Sequence, residues 1–68
     1  MKNIVCIVYD KVANLYSAPM TFTNEATAKR WFLSKIVENK DDYILYQIGE
    51  YDDTNGKLKS YKEEVKLL

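Results

Sequence analysis

The stretch Ile4-Val5-Cys6-Ile7-Val8-Tyr9 is an unbroken apolar run in which four of the six side chains are β-branched. A half-exposed strand alternates apolar with polar residues, so a continuous run of this kind predicts a strand covered on both faces, and hence a central one. The apolar segment before Asp10 is too short for a signal-peptide core or a membrane span. The protein is therefore expected to stay in the compartment where it is made, with no membrane partner.

Working outward from this run, Asp10 to Asn14 predicts a polar turn and Leu15 to Thr23 a second strand. Pro19 interrupts that strand; it lacks a ladder donor and favours an edge position or a bulge. Thr23 or Asn24 can cap the free amides of a helix, and Glu25 in its first turn suits the macrodipole. The helix is expected to run to about Asn39. At about 100° per residue, Ala26, Ala28, Phe32, Leu33, Ile36 and Val37 fall on its core-facing half. Lys29 lies within this arc, where its stem can pack while its ammonium reaches water. Trp31 falls beside Thr27, Ser34, Lys35 and Glu38 on the polar side. Two readings fit it: a boundary residue lying flat on the sheet rim, or a contact residue for a partner subunit or a stacked base.

After Asp41 and Asp42, a third strand is predicted from Tyr43 to Tyr51. Ile44, Tyr46 and Ile48 are expected on one face, and Tyr43, Leu45, Gln47 and Tyr51 on the other. Asn55-Gly56 between two β-prone runs signals a hairpin, with a fourth strand from Lys57 to Tyr61. Together these elements predict one α+β domain over residues 1–68. It is a ββαββ unit with a four-stranded, mainly antiparallel sheet in the order 2-1-3-4 and one helix packed on one face. A single helix covers only one face, so the tyrosine-bearing face must find cover elsewhere or stay partly wet. With 47% apolar residues in a chain of 68, this predicts a homodimer.

Composition excludes several kinds of chemistry. The chain has no histidine, which removes Ser-His-Asp and Cys-His pairs and the commonest zinc sites. The lone Cys6 sits in the apolar run and reads as a buried, reduced thiol. Asp52, Asp53, Asn55 and Gly56 superficially resemble a calcium loop. Placing Gly56 at the sixth loop position, however, puts Tyr51 first and Lys62 twelfth, where carboxylates are required. Tight-turn chemistry accounts for these residues better. The adjacent pairs Asp41-Asp42 and Asp52-Asp53 lie in polar connections, without the burial that tunes a catalytic carboxylate. No catalytic residue, metal or cofactor is expected, and an enzyme is not expected.

Ten basic residues balance ten acidic ones, but not evenly along the chain. Residues 1–23 carry +1, residues 24–40 carry +2, residues 41–56 carry −5 and residues 57–68 carry +2. Lys29, Arg30, Lys35 and Lys40, with Trp31 interleaved, read either as a solvated helix face or as a modest basic and aromatic surface for a single-stranded nucleic acid. The six tyrosines can stack bases, and they are also strong strand formers.

The order of motifs resembles a known family. The apolar strand ending in Tyr9-Asp10-Lys11 is followed by Tyr16-Ser17-Ala18-Pro19 and by the segment Asn24 to Phe32. Then comes Asp41-Asp42-Tyr43-Ile44-Leu45-Tyr46-Gln47-Ile48-Gly49-Glu50-Tyr51-Asp52-Asp53, with Gly56-Lys57 after it. This series closely resembles the small nonstructural protein of gokushoviruses, which are tailless microviruses with single-stranded DNA genomes. The resemblance covers nearly the whole chain and is most specific from Asp42 to Lys57. It implies a DNA-binding protein in the cytoplasm of the infected bacterial host. Such a protein is absent from the virion and acts in the change from duplex replication to single-stranded genome synthesis and packaging. The chain departs from the usual pattern in a shorter helix-to-third-strand connection, in Lys29 where an apolar residue is commoner, and in a brief C-terminus. On this reading Lys29, Arg30, Trp31 and Lys35 contact single-stranded DNA, with Tyr43 or Tyr51 as stacking residues. The alternative is an interaction module that binds the viral replication initiator, the assembly machinery or a host factor through the uncovered sheet face.

Overall fold

The computed structural model describes residues 1–35 and 40–66. In chain order the elements are β1 (Lys2–Asp10), β2 (Leu15–Tyr16), β3 (Met20–Phe22), α1 (Glu25–Lys35), a 3-10 turn (Lys40–Asp42), β4 (Tyr43–Asp52) and β5 (Lys57–Glu64). Among the described residues this is an α+β fold with one α-helix and a curled antiparallel sheet. The strands run in the order β2-β1-β4-β5, and β3 shares with β2 the edge of β1 that faces away from β4. The apolar run thus forms a central strand.

The expected second strand is broken into two short pieces. Pro19 has no amide to donate, and at the break the Ser17 side chain substitutes for a backbone partner, its Oγ accepting from the Val8 amide at 2.8 Å. The Ser17 amide still donates to the Val8 carbonyl at 2.8 Å. The Asp10 carboxylate holds the preceding turn by accepting from the amides of Val12 and Ala13. Asn14 occupies the left-handed region at φ 58°.

Helix α1 begins where a side chain can cap it: Asn24 Oδ1 accepts from the Thr27 amide at 2.8 Å. Its buried stripe is narrow, consisting of Ala28 and Phe32. These pack on Cys6 and Val8 of β1, Leu45 of β4 and Val65 after β5, with Ile4, Met20, Phe22, Trp31 and Tyr43 around them. Leu33 and Ala26, expected toward the core, are exposed instead. The stripe is confined to positions four apart, and the rim of the core is completed by the aromatic pair Phe22 and Trp31 rather than by Leu33. The remaining expected core residues of the helix, Ile36 and Val37, and its expected end near Asn39 lie outside the described residues.

Strand β4 carries a bulge that changes the expected assignment of faces. Val5 pairs with Gly49 and Cys6 with Gln47, which leaves Ile48 as the extra residue. Tyr43, Leu45 and Gln47 therefore share the helix side with Glu50 and Asp52, while Tyr51 turns to the opposite face with Ile44 and Tyr46. Tyr43 and Tyr51, expected together, lie on opposite sides. The pairing of β4 with β5 slips at the same place, and β5 extends past its expected end at Tyr61 to Glu64. Bulges increase local twist, and here the sheet curls. As a result Val5 and Ile7 are only 9% exposed although they face away from the helix.

Candidate nucleic-acid interface

The curl gathers aromatic side chains on the face without the helix. Tyr9 of β1 lies opposite Tyr16 of β2, and their ring centroids are 4.5 Å apart with planes tilted by 38°. Tyr46 of β4 joins them, 6.4 Å from Tyr16. Lys62 of β5 reaches over from the far edge of the sheet. Its Nζ donates to the Tyr16 hydroxyl at 2.7 Å and sits 4.6 Å from the ring centroids of both Tyr16 and Tyr46. The ring quadrupoles favour a cation in this position. The hydrogen bond to Tyr16 raises the pKa of the Lys62 ammonium, outweighing partial loss of hydration. It is a full positive charge at neutral pH. The Tyr9 hydroxyl donates to Asn14 Oδ1, which fixes its ring against the turn. Tyr16 keeps 51% of its surface exposed.

The residues singled out from sequence do not form one patch. Lys29 is half-buried and pairs with Glu25, Nζ to Oε1 at 3.4 Å. Arg30 and Lys35 are exposed on the helix and make no ion pair among the described residues. Trp31 is half-buried, with its ring 5.6 Å from Phe22 and packed on the core, which is the boundary placement. Tyr43 also packs against the helix-side core. Tyr51 is exposed on the opposite face, away from Tyr43.

Sequence reasoning missed Tyr9, Tyr16, Tyr46 and Lys62 as a group. One signal was present: Tyr9 and Tyr16 lie just outside the predicted turn, and a four-residue loop over 11–14, which pairs Asp10 with Leu15, sets them face to face. Lys62 had no such signal, because it lies beyond the expected end of its strand.

On the helix side, the helix leaves one end of the sheet uncovered. A cleft of about 480 Å³ there is lined by Lys2, Glu50, Asp52, Asn55, Lys57, Leu58 and Lys59. The adjoining acidic turn follows hairpin chemistry. Asp52 Oδ1 accepts from the Thr54 amide at 2.9 Å, Asn55 Oδ1 accepts from the Lys57 amide at 2.9 Å, and Gly56 adopts φ 73°. The Thr54 amide holds the Asp52 carboxyl below its ordinary pKa.

No curated protein and no solved structure matches this chain. A family model described as Phage ORF5 protein matches residues 3–68, a span that includes all of the paired strands except Lys2 and every member of the tyrosine cluster. The chain belongs to the phage ORF5 protein family.

Proposed function

We propose that this phage protein is a non-enzymatic, single-stranded DNA-binding accessory protein. On this reading it is a nonstructural protein of the gokushovirus type. It acts in the host cytoplasm, outside the virion, in the switch to single-stranded genome synthesis or packaging, and it works as a dimer.

The observation that carries the reading is the cluster of Tyr9, Tyr16 and Tyr46 around the Lys62 ammonium on the helix-free face. Aromatic rings on an open sheet stack bases of any sequence, and a cation beside them meets the phosphate that links the bases. Nothing in the cluster reads base edges in a fixed pattern, so binding is sequence-tolerant. Arg30 and Lys35 on the helix offer further phosphate contacts, remote from the rings.

Fluorescence anisotropy with labelled single-stranded DNA across a salt series tests the reading. Affinity that falls steeply with salt and drops in Tyr16→Ala supports binding on the tyrosine face; a drop confined to Arg30→Ala moves the contact to the helix. Absence of binding at low salt removes the DNA reading.

One observation favours a second reading, an interaction module for the replication initiator, the assembly machinery or a host factor. Val12 and Leu15 are 77% and 66% exposed at the tip of the β1–β2 hairpin, beside Tyr16. Apolar side chains grouped at a surface tip suit a protein partner.

A further inference from the structure

We infer that the dimer forms by antiparallel pairing of the β5 edges of two copies, an inference that rests on the self-association included in the proposed function. The tyrosine-bearing face was the expected dimer surface, but curling and the Lys62 bridge already shelter its centre, where Val5 and Ile7 are buried. The edges of the sheet offer different opportunities. The edge formed by β2 and β3 consists of strands of two and three residues separated by Pro19, a poor template for pairing. The other edge is β5, eight residues long, paired among the described residues only with β4 and exposed at seven positions.

Charge along β5 is ordered. Lys57 and Lys59 occupy its first half and Glu63 and Glu64 its end, while Lys62 between them is drawn to Tyr16 on the face without the helix. Among the described residues none of Lys57, Lys59, Glu63 and Glu64 makes an ion pair. Lysines on an edge strand ordinarily discourage pairing. This arrangement discourages a parallel copy, which would meet like charge with like, and it suits an antiparallel copy. Antiparallel neighbours share a face, so pairing across a twofold axis perpendicular to the sheet sets odd-numbered residues against odd ones. A register centred on Tyr61 places Lys59 opposite Glu63 of the partner subunit, and one centred on Ser60 places Lys57 there. Symmetry makes each contact twice.

The resulting continuous sheet, five strands from each copy, keeps both helices on one side and both tyrosine clusters on the other. A DNA strand long enough to reach both clusters then binds with the gain of a bivalent contact.

The test uses two variants with reversed charge, K57E/K59E and E63K/E64K, with circular dichroism to verify that each is folded. Sedimentation of the wild-type chain over a concentration series into the high micromolar range is expected to show a monomer–dimer equilibrium. Each variant alone is expected to weaken it by about tenfold or more, because attractive pairs become repulsive ones. An equimolar mixture of the two is expected to recover association, as a heterodimer in which acidic β5 meets basic β5. Recovery on mixing supports the β5 edge. A wild-type dimer that both reversals leave intact overturns this interface while self-association stands. A wild-type monomer at every concentration removes self-association and the interface with it. DNA binding by the monomer is measured separately and is unaffected by either result.

Discussion

The Lys62 ammonium and the Tyr16 hydroxyl lie 2.7 Å apart although their strands form opposite edges of the sheet. A flat four-stranded sheet holds its outer strands about 14 Å apart, at about 4.8 Å per step. The contact spans that width through two long side chains and the curl imposed by the register slips in β4 and β5. It marks the point where fold and proposed function meet, since the same cation that ties the edges together is available to a phosphate.

Removing either partner separates stacking from charge. Tyr16→Ala is expected to reduce affinity for single-stranded DNA by about 1–3 kcal/mol, roughly five- to 150-fold, at all salt concentrations. Lys62→Ala is expected to flatten the dependence of log affinity on log salt by about 0.7, the contribution of one phosphate contact to a single strand. Anisotropy titrations of both variants check this, and equal salt slopes for Lys62→Ala and wild type would assign that lysine a purely structural part.

Helix α1 docks through a very small stripe, so the loss of one side chain should be severe. Phe32 is fully buried, and Phe32→Ala is expected to cost about 3–5 kcal/mol. That is a large share of the total for a domain of this size, at about 0.05–0.15 kcal/mol per residue. Leu33→Ala, one residue further along but exposed, is expected to change stability by no more than about 0.5 kcal/mol. Urea melts followed by circular dichroism compare the two, and a large effect at Leu33 would mean that the helix is rotated relative to the packing described.

The two glycines are needed for different reasons. A Cβ on Gly49 would stand 2.4 Å from the Lys59 carbonyl oxygen, a backbone atom of the neighbouring strand. Gly49→Ala is therefore expected to cost about 1–3 kcal/mol through displacement of β5. At Gly56 there is open space but φ is +73°, so Gly56→Ala is expected to cost about 1–2 kcal/mol. Gly56→Asn should recover part of it, because Asn tolerates the left-handed region. Failure of Asn to outperform Ala there would remove the conformational explanation.

Alkaline pH should weaken the fold. Burial pushes the Cys6 thiol up to about 11, with the charge of Glu25 adding to the effect. Burial also raises the Tyr61 hydroxyl, and the hydrogen bond to Tyr16 raises Lys62. In each case the folded chain holds its proton more tightly than the unfolded chain does. The stabilisation is complete below the ordinary values, near 9.0 for a thiol, and is lost as pH rises through the raised ones. The denaturation midpoint should hold steady up to about pH 9 and fall toward pH 11. Cys6 should also resist thiol reagents at neutral pH until the chain is unfolded. Rapid labelling of the native protein would contradict its buried position.

The amino-acid sequence by itself determined the kinds of element and their rough places. The run Ile4 to Tyr9 specified a central strand, Asn24 a helix start, and Asn55-Gly56 a hairpin, because β-branching, capping and turn conformation act within a few residues. Local chemistry also marked Pro19 as a point of interruption, but not that the strand would divide there. Tertiary structure alone decided which side chains meet. One extra residue at Ile48 sends Tyr51 to the opposite face from Tyr43; Gly49 beside it marks a place where a bulge is tolerated, but the slip itself depends on how three strands are aligned. The rotation of the helix, which leaves Leu33 wet and packs Trp31 against Phe22, is set by the surface beneath it rather than by its own periodicity. The cluster around Lys62 needs both effects and a separation of 46 residues between Lys62 and Tyr16, so it exists only once the sheet has curled.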